Sequence, residues 1–434
     1  MFFKNITVLN ENFEVQENMY VGIKDDKIDY VGTEVPDDLY SYIYNSEIYD
    51  GAGKLMMPAF YNAHAHSPMT LMRGYGEGLA LQDWLEKKIF PFEGKLDGYA
   101  VYWGTMLALA EGIASGIVSS TDMYYFSPDE ADAVIDAGAK MNISRSIAHF
   151  DDSNPLNSPR FREMEYFVKE YHTRAMRRIL TDVSLHAEYT NTEKSCKAVA
   201  DFAYYNRLNM AVHLSETKKE HEECKARHGM TPAAFFEKTG VFKVRTTAAH
   251  CVWLEEEDFE ILKRKDVTVA TCPVSNMKLA SGIADVRKML DLRMNVALGT
   301  DSVASNNSLD MFEEMKVAAL CANIKTGDAS ALPPKQLLYM ATRAGALAQG
   351  RLDCGQIAKG MKADLQIIDM EKANLCPVHD VRTSLVYSAH GGDVVLTMCD
   401  GKVLYRDGEF LTIDIEKARC TAKILIEKIL GELK

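Results

Sequence analysis

The stretch "NAHAHSPM" (62–69) sets His64 and His66 one residue apart, directly after the apolar run "LMMPAFY". Alternate residues of an extended strand point to the same side, so both imidazoles can aim at one point. By itself a His-x-His pair is a weak pattern, because two hydrogen-bonded loop histidines read the same way. Further along, short apolar runs finish repeatedly in polar residues: Asp122, Arg145 with His149, His186, His213, His250 and Asp301. A buried polar group costs free energy unless it is bonded, so stability alone explains this recurrence poorly. His64, His66, His213 and Asp301 form a donor set that zinc accepts, with a position left for water. Fe(II) accepts the same imidazole and carboxylate donors. The expectation is one divalent metal ion per chain, zinc first and Fe2+ as the alternative.

These residues need a scaffold that brings distant strand ends together. Eight β-prone runs occur in the middle of the chain: "LMMPAFY", "GIVSSTD", "NISRSIAH", "TDVSLHA", "LNMAVHL", "RTTAAHC", "VTVAT" and "MNVALGT". Helical stretches such as "VYWGTMLALAEGIAS" and "EKSCKAVADFAYYN" separate them. This alternation predicts an α/β fold, a (β/α)8 TIM barrel, whose active site gathers at the carboxyl ends of the strands. A doubly wound sheet also alternates, but no G-x-G-x-x-G follows the first strand, and "RGYGEG" has the wrong spacing. The two chain ends resemble each other instead. Both are rich in short β-like runs, and Asp400-Gly401 and Asp407-Gly408 are turn signals between such runs. They predict a small β-sandwich domain built from residues 1–57 and 359–434, around a barrel of residues 58–358. The helical spacing of "DIEKARCTAKILIEKILGELK" predicts a terminal helix.

Composition narrows the partners. The chain has 434 residues, 47% hydrophobic and 26% charged, with a net charge of -13. Without a Lys/Arg-rich run, neither a nucleic acid nor an anionic membrane surface is an expected partner. Nine cysteines, none in a C-x-x-C pair, read as reduced thiols. No signal peptide and no run of about 20 apolar residues is seen, so a soluble, cytoplasmic protein is expected.

The stretches "GAGKLMMPAFYNAHAHSPMTLMRG", "HLSET", "AAHC" and "LGTDSVASNNSLDMFEEM" together resemble the amidohydrolase superfamily, and more narrowly its deaminase/chlorohydrolase branch. The resemblance covers essentially the whole chain, and its motifs recur in order at barrel spacing. Binuclear members carry a carboxylated lysine at the end of strand four. Here "TDVSLHAEY" offers His186, which implies a single metal. The resemblance implies hydrolysis by hydroxide generated at that metal, attacking a ring carbon. Glu216, three residues after His213, is the natural carrier of a proton to the neighbouring ring nitrogen. His250 would hydrogen-bond the attacking hydroxide and the departing group. Asp301 would bind the metal and take the water's proton.

Around "RGYGEGLALQDWLEKKIFPFEGKL" the chain is similar to the 5-methylthioadenosine/S-adenosylhomocysteine deaminases. In that family the Glu after "WP" or "FP" contacts the nucleoside sugar, and Glu93 stands at that position. Trp84 would wall the pocket, and His186 would bind sugar or base. Arg145, with Arg160 or Arg162 in the following loop, suits a carboxylate such as the tail of S-adenosylhomocysteine. The implied reaction releases ammonia from the 6-amino group of a small-molecule adenine nucleoside: adenosine, 5′-deoxyadenosine, 5′-methylthioadenosine or S-adenosylhomocysteine. A homo-oligomer is expected by analogy alone. The chain departs from the family's usual "DDLPL" with "GEGLAL", and from its Thr-Thr with "SGIVSSTD". The alternatives within the branch are guanine, a chlorinated triazine or a cyclic amide as substrate. A catalytically inactive metal-bound scaffold would lack a ligand or the acid, and all are present. A cytidine-deaminase type, hinted at by "HAE" (186–188), needs a P-C-x-x-C partner, which "TCPVSN" is not. His149, His172, His221, His228, His379 and His390 match no ligand position and read as structural or surface residues.

Overall fold

Pro58 divides the first apolar run into two strands where the sequence suggested one. Lys54–Pro58 pairs with Leu365–Asp369 and with part of Phe2–Leu9, whereas Phe60–Ala65 lies in a different sheet beside Ile117–Tyr124. Proline has no N–H to extend the ladder. Ala59 N–H turns to the carbonyl of Asp364, and the chain crosses from one sheet to the other. The structure, a computed structural model, describes residues 1–36, 47–79, 81–151 and 153–433. Ala80 and Asp152, which fall within two stretches discussed above, lie outside the described residues.

The second sheet is the barrel. Its parallel strands are Phe60–Ala65, Ile117–Tyr124, Lys140–Ile147, Val183–Leu185, Met210–Leu214, Thr246–His250, Thr268–Thr271 and Val296–Leu298, neighbours in chain order. The first and last meet at a bridge between Ala65 and Asp301, where Asp301 N–H donates to the His64 carbonyl at 3.0 Å. Asn62 reinforces the closure: its amide donates to Thr300 Oγ1 at 2.7 Å and accepts from Thr300 N–H at 3.0 Å. The fourth strand is preceded by Ile179–Thr181, which pairs with the third. The break falls at Asp182, whose buried carboxylate accepts from Asn142 and Asn209. Every residue of Ile117–Tyr124 and Lys140–Ile147 is buried, as expected of parallel strands covered on both faces. Gly98–Ala114 and Glu193–Asn206 are among the covering helices.

Both chain ends share the other sheet, which runs from Glu409–Phe410 through Leu365–Asp369, Lys54–Pro58 and Phe2–Leu9 to Lys27–Gly32. Asp400, Gly401, Asp407 and Gly408 all have positive φ, the backbone that two-residue hairpin turns of the I′ type demand. Ile28 N–H donates to the Met361 carbonyl, bringing the far edge back toward the segment before Leu365. The enclosed face buries Ile6, Val21, Ile367 and Leu396 in a core of its own. Lys140, at the barrel end away from the histidines, ties the two units together. It pairs with Asp364 and, at 2.7 Å, with Asp400. The terminal helix Ile415–Glu432 packs against Gly98–Ala114. No helix among the described residues is long and apolar enough to cross a membrane.

Candidate active site

The strand ends bring His64, His66, His213, His250, Asp301 and Glu216 into one chamber at the carboxyl end of the barrel. His64 Nε2 and His66 Nε2 lie 3.5 and 3.4 Å from Asp301 Oδ1. His213 Nε2 stands 3.3 Å from His66 Nε2. Backbone carbonyls set the tautomers: His66 Nδ1–H donates to Met123 at 2.7 Å, and His213 Nδ1–H to the carbonyl of His186 at 2.6 Å. A carbonyl only accepts, so each Nδ1 carries a proton and each Nε2 is the nitrogen that presents a lone pair whenever its ring is neutral. His64 Nε2 is buried with no hydrogen-bond partner. Ring nitrogens and a carboxylate oxygen converging on one point fit a cation, and the imidazole and carboxylate donors suit zinc. His64, His66 and Asp301 offer one such triad within 4.8 Å; His64, His213 and His250 offer another.

Electrostatics agree with the donor set. Burial pushes His64 down to about 4 and His213 well below the usual histidine range, keeping both neutral. Burial works the same way on His66, but the hydrogen bond to Asp301 and its charge override it and raise His66 to about 9. Asp301 therefore draws positive charge to this point. Burial opposes the ionisation of Asp301 too, yet His64, His66 and His250 hold it well below the usual carboxylate range.

Glu216 and His250 stand beside this set. Glu216 Oε2 lies 3.8 Å from His250 Nε2, and Glu216 Oε1 accepts from Ser281 Oγ at 3.3 Å. Burial raises the Glu216 carboxyl, with His250 pulling against the rise and Asp301 adding to it. The residue is buried two positions before the helix Lys218–His228, not exposed at its start. Ser215, His250, Cys251 and Asp301 adopt left-handed backbone, with φ of 47°, 71°, 50° and 57°. Such strain costs about 1–3 kcal/mol per residue and concentrates where a side chain must be aimed.

Trp84 lines the inner chamber with Leu81, Ile89, His66, His213 and His250. Outside it opens a cleft of ≈ 710 Å³. Glu93 and His186 line both spaces and so stand at the passage between them. Burial lifts Glu93 to about 7, with the Tyr124 hydroxyl offsetting part of the rise. His186 is pushed down to about 4 by burial, and its Nδ1 lies 3.3 Å from Thr190 Oγ1. Arg145 and Arg160 line the outer cleft and Arg162 does not, which separates two residues the sequence left equal.

Several supporting residues escaped the sequence reading. Ser275 Oγ and Ser305 Oγ donate to Asp301 Oδ2 at 2.5 and 3.0 Å. Asn276 Oδ1 accepts from His250 Nδ1–H at 2.9 Å. "TCPVSN" thus fails as a zinc clamp but supplies both Ser275 and Asn276. The Glu220 carboxylate accepts the N–H groups of Ser215 and Glu216, fixing the loop that carries the acid. Asp122 takes the Ser67 N–H and hydroxyl, anchoring the turn after His66. Among the other histidines, His172 meets Thr181, His221 meets Glu255 and His228 meets Glu188.

Residues 55–404 match the model of the amidohydrolase family. A 5-methylthioadenosine/S-adenosylhomocysteine deaminase of Acetivibrio thermocellus is 40% identical over 427 residues, spanning 98% of this chain and 98% of its own. A 5′-deoxyadenosine deaminase of Methanothermobacter thermautotrophicus is 41% identical over 367 residues, spanning 85% of this chain and 86% of its own. Among solved structures, an adenosine deaminase from Xanthomonas campestris with bound zinc matches with a TM-score of 0.93. It is 29% identical, and the match covers 99% of this chain and 98% of that one.

Proposed function

The chain belongs to the amidohydrolase family, and from that premise we propose that it deaminates adenine nucleosides. It is a hydrolase of carbon–nitrogen bonds in cyclic amidines. Water's oxygen bonds to C6 of the purine, the C6–N bond breaks, and ammonia leaves behind a 6-oxopurine nucleoside. His64, His66, His213 and Asp301 would hold one divalent ion, zinc before Fe2+. Such an ion lowers the pKa of a water it binds from 15.7 to about 7.

The side chains divide the remaining work. Glu216, its carboxyl raised by burial, carries a proton to the ring nitrogen beside C6, making that carbon electrophilic. His250, held by Asn276, turns Nε2 toward Glu216 and hydrogen-bonds the incoming oxygen and the departing nitrogen. Asp301 receives the water's proton while Ser275 and Ser305 hold its other oxygen. Glu93 accepts the vicinal sugar hydroxyls at the passage, Trp84 walls the base, and His186 contacts sugar or base.

The observation that carries this reading is the position of Glu216: a buried acid next to His250, in the same chamber as the ligand set. Glu93 at the passage favours a nucleoside over guanine or a triazine, which have no sugar to bind there. The test is a panel of adenosine, 5′-deoxyadenosine, methylthioadenosine, S-adenosylhomocysteine, guanine and cytosine, followed by absorbance. Turnover of one or more adenine nucleosides is expected; turnover of none would remove the nucleoside claim.

A further inference from the structure

Arg145 lines the outer cleft but is already engaged from within the protein. Its Nε–H donates to Glu163 Oε2 at 2.7 Å and its Nη1 to the Ser146 carbonyl at 2.6 Å, while the Tyr125 ring lies 5.0 Å from the guanidinium carbon. Glu163 thus holds one of the two donors of the Nε edge, where a carboxylate would seat as a two-point fork, and Ser146 holds a donor on the neighbouring nitrogen. Glu163 comes from the helix Pro159–Tyr171 and reaches into the cleft from its rim, its side chain 56% exposed. Its negative charge faces any anion that approaches Arg145. Arg160, the other guanidinium in the cleft, donates to the Ala148 carbonyl and shares the space with the carboxyls of Glu93 and Asp129. Against this cancelled charge stands apolar surface. Phe90, Phe126, Phe150 and Tyr166 are 44%, 43%, 70% and 57% exposed, and all four line this one cleft. Exposed apolar side chains gathered in one concavity mark a binding surface for an apolar group.

We propose that Glu163 sets the preference for the group on the 5′ carbon. By occupying Arg145 it tunes this chain to uncharged 5′ substituents, a hydrogen or a methylthio group, over carboxylate-bearing ones. Glu163 acts through Arg145 and is a positioning residue, not a catalytic one. The proposal rests on the adenine-nucleoside reading above.

The test compares kcat/KM for S-adenosylhomocysteine with that for 5′-deoxyadenosine in the metal-loaded protein. Wild type should favour 5′-deoxyadenosine. Glu163→Gln should raise the ratio of S-adenosylhomocysteine to 5′-deoxyadenosine turnover by about tenfold, the worth of a freed charge-assisted contact. Adding Arg145→Gln to that variant should return the ratio to its starting value, which a merely structural role for Glu163 would not do. Glu163→Ala carries the same measurement should the Gln variant fail to fold, since a half-exposed side chain leaves no core cavity behind. An unchanged or lowered ratio overturns the proposal; a lowered one would mean that Glu163 receives the substrate's ammonium. Absence of turnover on every adenine nucleoside by the wild type would instead overturn the underlying reading.

Discussion

At Glu216, burial and the charge of Asp301 push the carboxyl up while His250 pulls it down. A residue that must first give and then regain a proton needs such a balance. Glu216→Gln keeps the shape and loses the proton. It should retain one equivalent of metal by elemental analysis while kcat falls about 10²–10⁴-fold; undiminished kcat would take Glu216 out of the mechanism. Glu93 carries a pH signature. Raised to about 7, it is protonated below that pH and ionised above it. Only the carboxylate accepts two hydroxyls, so KM should fall as pH rises through about 7, and Glu93→Gln should flatten the profile. An equal pH response in wild type and variant would assign the titration elsewhere. The same shift bears on stability. Between the ordinary glutamate range and about 7 the folded chain keeps a proton that the unfolded chain releases, so this group lowers stability as pH rises through that window. The convergence of His64, His66, His213 and Asp301 was legible in the sequence because strand ends are short and their polar residues stand out against apolar runs. Ser275, Ser305 and Asn276 were not, because a hydroxyl or amide that holds another side chain leaves no pattern of its own. Arg145 was legible as a residue, whereas its engagement by Glu163 was not, because that pair exists only once helix and strand have packed.

At the scale of elements, the alternation of eight apolar runs with helices carried the barrel, because each parallel strand is buried on both faces and reads as a continuous apolar segment. The run "LMMPAFY" misled because both of its halves are buried strands, and only Pro58 marks where one sheet ends. Closure between the first and eighth strands depends on Asn62, which holds Thr300 by backbone and side chain together. Asn62→Ala leaves the Thr300 N–H unpaired in the interior, though its hydroxyl still reaches the Asp301 carbonyl, and should cost about 1–3 kcal/mol of unfolding free energy. Because Asn62 also lies two residues before His64, whose N–H approaches it at 3.3 Å, the variant should bind metal more weakly. Calorimetry of the metal-loaded protein reads the first effect and metal titration the second. A wild-type unfolding profile would show that barrel closure does not depend on this side chain.

For the molecule as a whole, the likeness of the two chain ends was visible as matching β-rich composition and Asp-Gly turns. Their attachment to the barrel was not. It runs through Lys140, Asp364, Asp400 and Tyr61, residues far apart in the chain whose charges and hydroxyl make sense only once buried together. That junction leaves the opposite end of the barrel to the chamber and the outer cleft, with Glu93 and His186 lining both. On the proposed reading, water replaces the amino group of an adenine nucleoside in the inner chamber. The most direct measurement is turnover of 5′-deoxyadenosine in ¹⁸O-labelled water, with ammonia and the nucleoside product quantified together. One ammonia per turnover is expected, with a product that keeps its sugar and carries one labelled oxygen on the purine. Free adenine, a label on the sugar, or product without ammonia would contradict it.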